Sequence, residues 1–248
     1  MNAAMLTQLL RNSRNTLAFT GAGISTLAGI PDFRGAGGVY SRPWEGHRVE
    51  EILSLPMFLK HPELFYRWAR EFVYRLDDFE PASVHRVLAR LEQAGRLRAV
   101  CTQNIDLLHQ KAGSREVWEV HGSPARHHCL ECGALSTYRE IAPLVHAGTV
   151  PRCRRCGGLI KPDIVFYGEN LDEALLDRAF AAFAEAEVVL VLGSSLTVQP
   201  AASLPECAAR SGAKLVIVNN QPTLLDHAAA MRFSDLGTLF AELDTVEW

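Results

Sequence analysis

Short apolar runs alternate with longer amphipathic segments along this 248-residue chain. Apolar runs of four or five residues, bounded by glycine or polar residues, are typical of buried strands. Helical patterns fill the intervals, for example over Val84–Leu97, which Gly95 ends, and over the alanine-rich Leu175–Ala186. Strands that alternate with helices form parallel sheets. The pattern therefore predicts an α/β fold, a Rossmann-like parallel sheet with helices on both faces and strands at about 16–20, 97–101, 117–120, 188–192 and 215–218.

A helical interval is predicted between the first two strands. Val49–Leu76 has a helical pattern, and Pro56 and Pro62 divide it into pieces, since proline is tolerated only at the start of a helix. Three aromatic side chains recur there at spacings of three and four and are expected to pack into the core: Phe65, Trp68 and Phe72.

Each predicted strand is followed directly by a polar or glycine-rich cluster. Open parallel sheets bind ligands outside the carboxyl ends of their strands, so neighbouring strands would bring these clusters into one cleft. The clusters are Gly21-Ala22-Gly23, Gln103-Asn104-Ile105-Asp106, His121-Gly122, Gly193-Ser194-Ser195 and Asn219-Asn220.

The glycine turn after the first strand is a candidate anion site. Gly21 and Gly23 stand where a helix would begin, and free N–H groups at a helix start attract negative charge. A dinucleotide fingerprint would have a third glycine where this chain has Thr26, so a tight structural turn is the alternative. The following Pro31-Asp32-Phe33-Arg34-Gly35 predicts a mobile flap over a ligand, although Asp32 and Arg34 could instead form a surface ion pair.

Composition narrows the class of protein. With 48% hydrophobic and 21% charged residues and a net charge of −3, the chain can bury a sizeable core and has no basic footprint for nucleic acid. Arg11 and Arg14 in an acid-free start could suggest a transit peptide, but a first strand at about Thr16 leaves no room for one. No apolar run reaches the roughly 18 residues of a membrane span. We therefore expect a cytoplasmic protein.

Four of the six cysteines form two Cys-x-x-Cys pairs. Cys129/Cys132 and Cys153/Cys156 are about 20 residues apart, a spacing that predicts one tetrahedral, structural zinc ion. The alternatives are a redox-active dithiol, or His127 or His128 in place of one cysteine. The remaining thiols, Cys101 and Cys207, are expected to be small buried side chains. We expect 126–160 to be a zinc-ribbon module inserted into a Rossmann-like domain formed by 1–125 and 161–248, with a helical insertion at about 35–78.

The whole set of motifs resembles the sirtuins, the NAD-dependent protein-lysine deacylases. The resemblance covers nearly the whole chain and rests on motifs that occur in the family's order. They are Gly21-Ala22-Gly23-Ile24-Ser25, Gly29-Ile30-Pro31-Asp32-Phe33-Arg34, Thr102-Gln103-Asn104-Ile105-Asp106, His121-Gly122, the four paired cysteines, Lys161-Pro162-Asp163-Ile164-Val165-Phe166-Tyr167-Gly168-Glu169, Gly193-Ser194-Ser195-Leu196 and Asn219.

The resemblance implies an activity. A sirtuin releases nicotinamide from NAD, and the acyl oxygen of an acyl-lysine in a protein or peptide attacks the ribose carbon. A general base then activates a ribose hydroxyl, which takes over the acyl group to give free lysine and O-acyl-ADP-ribose. His121 resembles that base, and a pKa near 6.5 suits proton abstraction at neutral pH. Taken alone, a histidine at a strand end would be a structural hydrogen-bonding group.

The resemblance also implies roles for the other clusters. Asn104 and Asp106, assigned with His121 to catalysis, would hold the ribose and the nicotinamide carboxamide, and Ile105 would present its backbone to the same group. Gln103 would contact the nicotinamide ribose, Phe33 would shield it, and Asn219 would hold the adenosine ribose. The remaining NAD-binding positions, with the phosphate cradle among them, are Gly21, Ala22, Gly23, Ser25, Asp32, Arg34, Gly193, Ser194 and Ser195.

The segment Val165-Phe166-Tyr167-Gly168-Glu169 resembles the family's substrate loop. Its alternation suits an extended segment that pairs its backbone with a substrate peptide, with Val165 and Tyr167 lining a tunnel for the acyl-lysine stem. Without that role, the same residues would form an edge strand.

Two departures from the family limit what carries over. Members that prefer succinyl or malonyl groups have Tyr-x-x-Arg on the helix after the flap, whereas Tyr66 is followed by Ala69 here. An acidic acyl group would then lack its charge partner, so acetyl or another neutral group is expected. Asn220 and Gln221 also replace a glutamate that is common after Asn219, which could alter adenosine affinity. The alternatives to deacylation are ADP-ribosyl transfer from NAD to a protein and, outside enzymes, a zinc-ribbon binding module.

Overall fold

The computed structural model describes residues 2–35 and 37–248. Met1 and Ala36, which falls within the predicted flap, lie outside the described residues. The strands are β1 (Thr16–Thr20), β2 (Ala99–Thr102), β3 (Val117–Glu119), β4 (Gly122–Cys129), β5 (Leu135–Thr137), β6 (Ile160–Ile164), β7 (Val188–Leu192), β8 (Lys214–Val218) and β9 (Ala229–Phe233). The α-helices are α1 (Ala3–Asn12), α2 (Val49–Ile52), α3 (Leu55–Lys60), α4 (Pro62–Phe72), α5 (Ser83–Gln93), α6 (Leu108–Lys111), α7 (Tyr138–His146), α8 (Glu173–Ala184), α9 (Ser203–Arg210) and α10 (Leu236–Leu243).

Six strands form one parallel sheet in the order β3-β2-β1-β7-β8-β9. Thr20 at the end of β1 is in register with Thr102 of β2 and Leu192 of β7, so the carboxyl ends of these strands lie in one row. The chain builds outward from β1 to β3, then returns to place β7 beside β1 and builds outward again. This reversal creates a crevice at the carboxyl ends of β1 and β7, where open α/β sheets bind ligands.

Helices cover both faces of this sheet, as the sequence predicts. Alternate residues of a strand point to opposite faces, so Leu17 and Phe19 of β1 pack with α8 and α9, whereas Ala18 packs with α1, α5 and α10. All five residues of β1 and of β7 are buried. A sheet buried on both faces explains the nearly continuous apolar runs in the sequence.

A second, antiparallel sheet has the strand order β5-β4-β6. It shares a hydrophobic cluster with α2, α3, α4 and α7, in which Phe58 and Phe65 are fully or almost fully buried. The Tyr66 hydroxyl on α4 donates to the Ile160 carbonyl of β6 at 2.6 Å. The helical segment and the second sheet therefore form one packed layer beside the parallel sheet.

Several local expectations are corrected by the structure. The helix expected over 84–97 ends at Gln93, because Gly95 adopts a φ of +68° and the Arg96 N–H closes the turn on the Leu91 carbonyl at 2.8 Å. Phe65 and Trp68 are buried as expected, but Phe72 is 38% exposed and stacks on Trp68. Within residues 2–35 and 37–248, no helix is both long and apolar enough to cross a bilayer.

Candidate active site

Three glycines join the ends of β1 and β7. The Gly21 N–H donates to the Leu192 carbonyl at 3.0 Å, and the Gly23 N–H donates to the Gly193 carbonyl at 2.9 Å. A Cβ atom on Gly21 would lie 2.8 Å from the Gly193 oxygen, and one on Gly193, whose φ is +60°, would lie 2.5 Å from the Ile24 nitrogen. Only glycine allows this approach, because L residues with side chains rarely adopt such a φ and no space exists for a Cβ.

This junction corrects one sequence-based expectation. The segment after Gly21 is a 3₁₀ helix, Ala22–Ala28, rather than an α-helix. The amides of Gly21 and Gly23 donate to β7 and its following loop, so they are not free donors for an anion. Ala22, at the first position of the short helix, lines the cleft with the loop residues Ser194 and Ser195. The glycines thus bring two loops together, and their neighbours face the ligand space.

The polar residues after β2 form a bonded network. The Asn104 side-chain amide donates to the Gly21 carbonyl at 3.1 Å and to the Ser25 hydroxyl at 3.0 Å. Ser25 in turn donates to Asp106 at 2.5 Å, and the Leu108 N–H donates to the other carboxylate oxygen at 2.9 Å. Burial raises the pKa of Asp106, and these hydrogen bonds oppose that change. Asn104 lines the cleft, whereas Ser25 and Asp106 fix its orientation from outside the lining.

Gln103 connects three of the strand-end clusters. Its side-chain oxygen accepts from the Ser194 hydroxyl at 2.9 Å, and its backbone N–H donates to the Thr20 carbonyl at 2.9 Å. Its carbonyl lies 3.0 Å from Nδ1 of His121. Across the sheet, Asn219 lines the same cleft and donates its side-chain amide to the Gln221 carbonyl at 3.0 Å. Its amide oxygen is an acceptor suited to a hydroxyl.

His121 is held in one tautomer. A carbonyl can only accept, so Nδ1 must carry the proton that it donates to Gln103, which leaves Nε2 as the basic nitrogen. Burial lowers the pKa of His121, the hydrogen bond to Gln103 opposes this, and the positive charge of Arg34 lowers the pKa further. The imidazole is therefore neutral near pH 7 and can take up a proton.

The predicted flap folds back over the cleft. Asp32 forms no ion pair with Arg34, and one of its carboxylate oxygens accepts from the Gly35 N–H at 2.7 Å. The Tyr40 N–H donates to the Phe33 carbonyl at 2.9 Å, and the two rings lie 5.1 Å apart. Arg34 reaches the Tyr167 hydroxyl at 3.5 Å, and the hydroxyls of Tyr40 and Tyr167 lie 3.1 Å apart. The sequence interpretation did not identify Tyr40, although the three glycines between Phe33 and Tyr40 are compatible with a folded-back turn.

One cleft of about 860 Å³ lies at these strand ends. Its lining brings together the predicted residues Gly21, Ala22, Gly23, Asp32, Phe33, Arg34, Gln103, Asn104, Ile105, His121, Gly193, Ser194, Ser195 and Asn219, and all of 165–169. Five residues of the lining form an apolar wall. They also belong to the hydrophobic cluster that the second sheet shares with α2, α3, α4 and α7: Leu53, Trp68, Ile105, Ile164 and Phe166. Sequence reasoning did not assign Leu53, Trp68 or Ile164 to this cleft.

The predicted substrate loop is a turn rather than a fully extended segment. The Glu169 N–H donates to the Phe166 carbonyl at 3.0 Å, and Gly168 has a φ of +93°. The Val165 N–H donates to the His121 carbonyl at 2.9 Å, and the backbone of Tyr167 pairs with Leu53 and Leu55. Most of this backbone is therefore already paired within the chain, and Gly168 at the tip is the place where a peptide could add.

A buried ammonium group shapes that turn. Lys161, 2% exposed, donates to the carbonyls of Pro162 and Ile164 at 3.1 and 2.8 Å and to Glu169 at 2.8 Å. Glu169 also accepts from the Phe166 N–H at 2.8 Å. Burial lowers the pKa of Lys161, and pairing with Glu169 opposes that change. The carboxylate of Glu169, expected to bind substrate, thus satisfies groups within its own loop. The motif that contains Lys161 does not by itself predict this role.

The four paired cysteines fit one metal ion. Their sulfurs all lie within 4.8 Å of one another, and two sulfur pairs are 3.5 and 3.7 Å apart. A ZnS₄ tetrahedron with bonds of about 2.3 Å has edges of about 3.8 Å. His127 instead contacts the Tyr74 hydroxyl at 2.7 Å, and His128 contacts Asp163 at 2.5 Å. Neither histidine joins the donor set, so Cys129, Cys132, Cys153 and Cys156 alone can hold Zn²⁺ in a closed, structural shell.

Comparison with known proteins identifies the family of this chain. Residues 21–200 match the Sir2 family. An NAD-dependent protein deacetylase from Thermotoga maritima is 43% identical over 97% of this chain and 92% of its own length. An NAD-dependent protein deacylase from Aeropyrum pernix is 40% identical over 95% of this chain and 93% of its own length.

Solved structures agree with these sequence matches. A Sir2 protein with deacetylated p53 peptide and 3′-O-acetyl ADP-ribose has a TM-score of 0.90 at 41% identity, covering 98% of this chain and 97% of that chain. A Sir2 protein bound to a propionylated peptide has a TM-score of 0.87 at 41% identity, covering 98% and 96%. By fold, by strand-end motifs and by sequence over almost its full length, the chain belongs to the Sir2 family.

Proposed function

We propose that the protein is an NAD-dependent protein-lysine deacylase that acts first on acetyl-lysine. The observation that carries the proposal is the single cleft that holds a neutral His121 with a basic Nε2, the glycine junction of β1 and β7, and the apolar wall. These three parts supply a proton acceptor, a place for a dinucleotide and a place for an acylated lysine. The relatives named NAD-dependent protein deacetylase and deacylase support the same activity.

NAD is the co-substrate in this proposal. The phosphates lie against Ala22, Ser194 and Ser195, where the glycine junction lets two loops approach. Asn219 holds the adenosine ribose and Gln103 the nicotinamide ribose. Asn104, oriented by Ser25 and Asp106, meets the nicotinamide end with Ile105. The remaining contacts come from the junction and the flap: Gly21, Gly23, Gly193, Asp32, Phe33 and Arg34.

The chemistry assigned to His121 is proton removal. The acyl oxygen attacks the ribose carbon as nicotinamide leaves, and His121 accepts the proton of a ribose hydroxyl that takes over the acyl group. One water is consumed, and the products are lysine, nicotinamide and O-acyl-ADP-ribose. Phe33 and Tyr40 cover the ribose, which keeps other water from reaching the reacting carbon.

A neutral acyl group fits the wall better than an acidic one. Ala69 is fully buried, the Tyr66 hydroxyl donates to the Ile160 carbonyl, and neither Arg67 nor Arg70 lines the cleft, so this helix presents no charge partner for an acidic chain. Arg67 pairs with Glu45 at 2.7 Å. Acetyl-lysine and other uncharged acyl-lysines in peptides or proteins are therefore the proposed substrates.

The proposed domain division keeps the parallel sheet in one domain and assigns the cysteine-bearing part of the second sheet to the zinc module, with its boundaries inside β4 and β6. Residues 1–125 and 161–248 form the NAD-binding domain, with a helical insertion at about 35–78, and 126–160 form the zinc module. The closed sulfur shell gives the zinc a structural role, because four thiolates leave no coordination position for substrate.

A cytoplasmic location is proposed from the same four thiolates, because a reducing compartment keeps such thiolates from forming disulfides. Subcellular fractionation tests the location.

The test of the activity is incubation with NAD and acetyl-lysine peptide, followed by mass spectrometry. Deacylation predicts equal amounts of nicotinamide, free-lysine peptide and O-acetyl-ADP-ribose. ADP-ribosyl transfer instead predicts a protein that gains ADP-ribose while the peptide keeps its acetyl group. Absence of nicotinamide release with every acyl peptide would refute both enzymatic functions.

A further inference from the structure

The two carbonyl groups that hold Asn219 are shared with one arginine. The Asn219 backbone N–H donates to the Phe233 carbonyl at 3.1 Å, and its side-chain amide donates to the Gln221 carbonyl at 3.0 Å. Arg232 on β9 donates to the same two carbonyls, from Nη1 to Phe233 and from Nη2 to Gln221 at 2.8 Å. One guanidinium therefore fixes both acceptors on which the position of Asn219 depends.

A carboxylate holds this guanidinium in turn. Nε of Arg232 lies 3.2 Å from Oδ1 of Asp226. The Thr223 hydroxyl donates to the same oxygen at 2.7 Å, and the Asp226 N–H donates to the Thr223 carbonyl at 3.3 Å. All three guanidinium nitrogens of Arg232 are thus engaged, which requires the planar fork that distinguishes arginine from lysine. These bonds tie the loop after β8 back onto β9.

The orientation of the Asn219 amide follows from this network. Its NH₂ group is bound to the Gln221 carbonyl, so its oxygen points away from that carbonyl and stays available to a hydroxyl in the cleft. Asn219 lines the cleft, whereas Arg232 and Asp226 lie outside the lining. Arg232 therefore acts on a bound ligand only through the acceptors of Asn219.

The place of this network in the sheet separates binding from chemistry. β9 is one edge of the parallel sheet, whereas His121 follows β3 at the other edge. The six strands leave five spacings of about 4.8 Å between these edges, so a change at Arg232 leaves the reacting groups untouched. Resting on the proposed function, we infer that Arg232, held by Asp226, is a positioning residue for the adenosine ribose and sets the affinity for NAD without taking part in the reaction.

The physical basis is preorganisation. With Arg232 in place, the Gln221 carbonyl and the Asn219 amide are already ordered before NAD binds. Without it, the loop after β8 has to be ordered during binding, and that cost lowers the affinity. The loss is the same for the ground state and the transition state, so it raises KM and leaves kcat unchanged.

The experiment is a double-mutant cycle on NAD affinity. The four proteins are wild type, Arg232→Met, Asn219→Ala and the double variant. The Kd for NAD is measured by calorimetry, and kcat and the KM values for NAD and peptide are measured with acetyl-lysine peptide. Arg210→Met is the matched control, because Arg210 pairs with Glu206 on α9 at 2.5 Å and lies outside the cleft lining.

Arg232→Met should raise the Kd and the KM for NAD about tenfold, the effect of losing one hydrogen bond to a charged group, while kcat and the peptide KM stay at the wild-type values. In the Asn219→Ala background the same change should alter Kd by less than about twofold, because the two residues act as a unit. Arg210→Met should match wild type. An equal increase in both backgrounds, no increase in wild type, or a comparable fall in kcat overturns the inference.

Asp226→Asn replaces Arg232→Met in the cycle if the latter does not fold, because it weakens the hold on the guanidinium and keeps the shape of the side chain. A rise in Kd of about threefold, the effect of losing one partly exposed ion pair, that disappears with Asn219→Ala supports the inference, and any other result refutes it. A wild type that binds NAD without releasing nicotinamide refutes the proposed function alone, whereas a wild type that binds no NAD refutes both.

Discussion

The two sheets border one cleft but are stabilised in different ways. The parallel sheet is buried on both faces, and its strand ends are joined by glycines, backbone hydrogen bonds and the Asn104 network. In the antiparallel sheet the edge strand β5 is only three residues long and has no buried residue. Four clustered sulfurs, at the end of β4 and in the loops beside these strands, would be joined by a bound zinc ion. Packing therefore fixes the proposed NAD side of the cleft, whereas we expect the second sheet to depend on metal ligation as well as on its packing against the helical segment.

The largest expected effect separates these two kinds of stabilisation. Cys129→Ala removes one of four ligands, and zinc sites of this kind supply about 10–16 kcal/mol of apparent binding free energy that the fold depends on. We expect loss of zinc and of amide-exchange protection across 122–164, with protection retained in β1, β7 and β8. Hydrogen exchange and metal analysis measure both.

The control for this prediction is Cys207→Ala. Cys207 is half-buried on α9 and is not one of the four clustered cysteines, so the variant should keep one zinc per chain. Protection lost equally in both sheets of Cys129→Ala would show that they unfold together. A Cys129→Ala protein with full zinc content would contradict the ligand assignment.

The next effect is on chemistry alone. His121→Ala should reduce turnover by roughly 100- to 10,000-fold, the contribution of a general base, while the affinity for NAD changes little, because the glycine junction is untouched. His227→Ala alters an exposed histidine and should retain wild-type turnover. Calorimetric NAD binding and product formation give the two readouts. If NAD binding were lost together with turnover, the assignment of His121 as a base would be wrong.

A smaller effect tests the glycine junction. Gly193→Ala would place a Cβ 2.5 Å from the Ile24 nitrogen at a φ of +60°. Overpacking and the left-handed conformation together should cost about 3 kcal/mol of unfolding free energy, and NAD affinity should fall. Gly95→Ala has a similar φ of +68° but nothing within 4 Å of the added Cβ, so about 1 kcal/mol is expected. Urea unfolding of both variants tests why position 193 must be glycine: because an added Cβ would be too close to Ile24, or only because φ is positive.

The same contrast explains what the sequence could predict. The parallel sheet was predicted from its apolar runs, because residues such as Val189 and Leu190 are buried on opposite faces and both must be apolar. The α/β fold and the family are confirmed. The antiparallel sheet was predicted only through its cysteines, since β5 is exposed and β4 includes Arg126 and two histidines. β9 was also missed, because its residues, at the sheet edge, are only partly buried.

Within the cleft, residue identity was easier to predict than geometry. The structure brings the five strand-end clusters together, while the roles given to their residues stay predictions. Which donors are free could not be predicted, because the Gly21 and Gly23 amides bind the end of β7 and the loop after it, which are distant in sequence. Lys161 and Tyr40 were missed for the same reason, since their partners Glu169 and Tyr167 meet them only through a turn or across the cleft.

The smallest expected effect concerns pH and one charge of the flap. Burial and Arg34 both lower the pKa of His121, and the neutral imidazole is the active form. The acid limb of kcat/KM should therefore lie below the ordinary histidine value near 6.5, with activity lost as pH falls through it. Arg34→Met removes the positive charge, so the pKa should rise and the limb should move towards neutral pH. A limb that stays in place in Arg34→Met would mean that Arg34 does not act on His121 during turnover, and that desolvation alone sets its pKa.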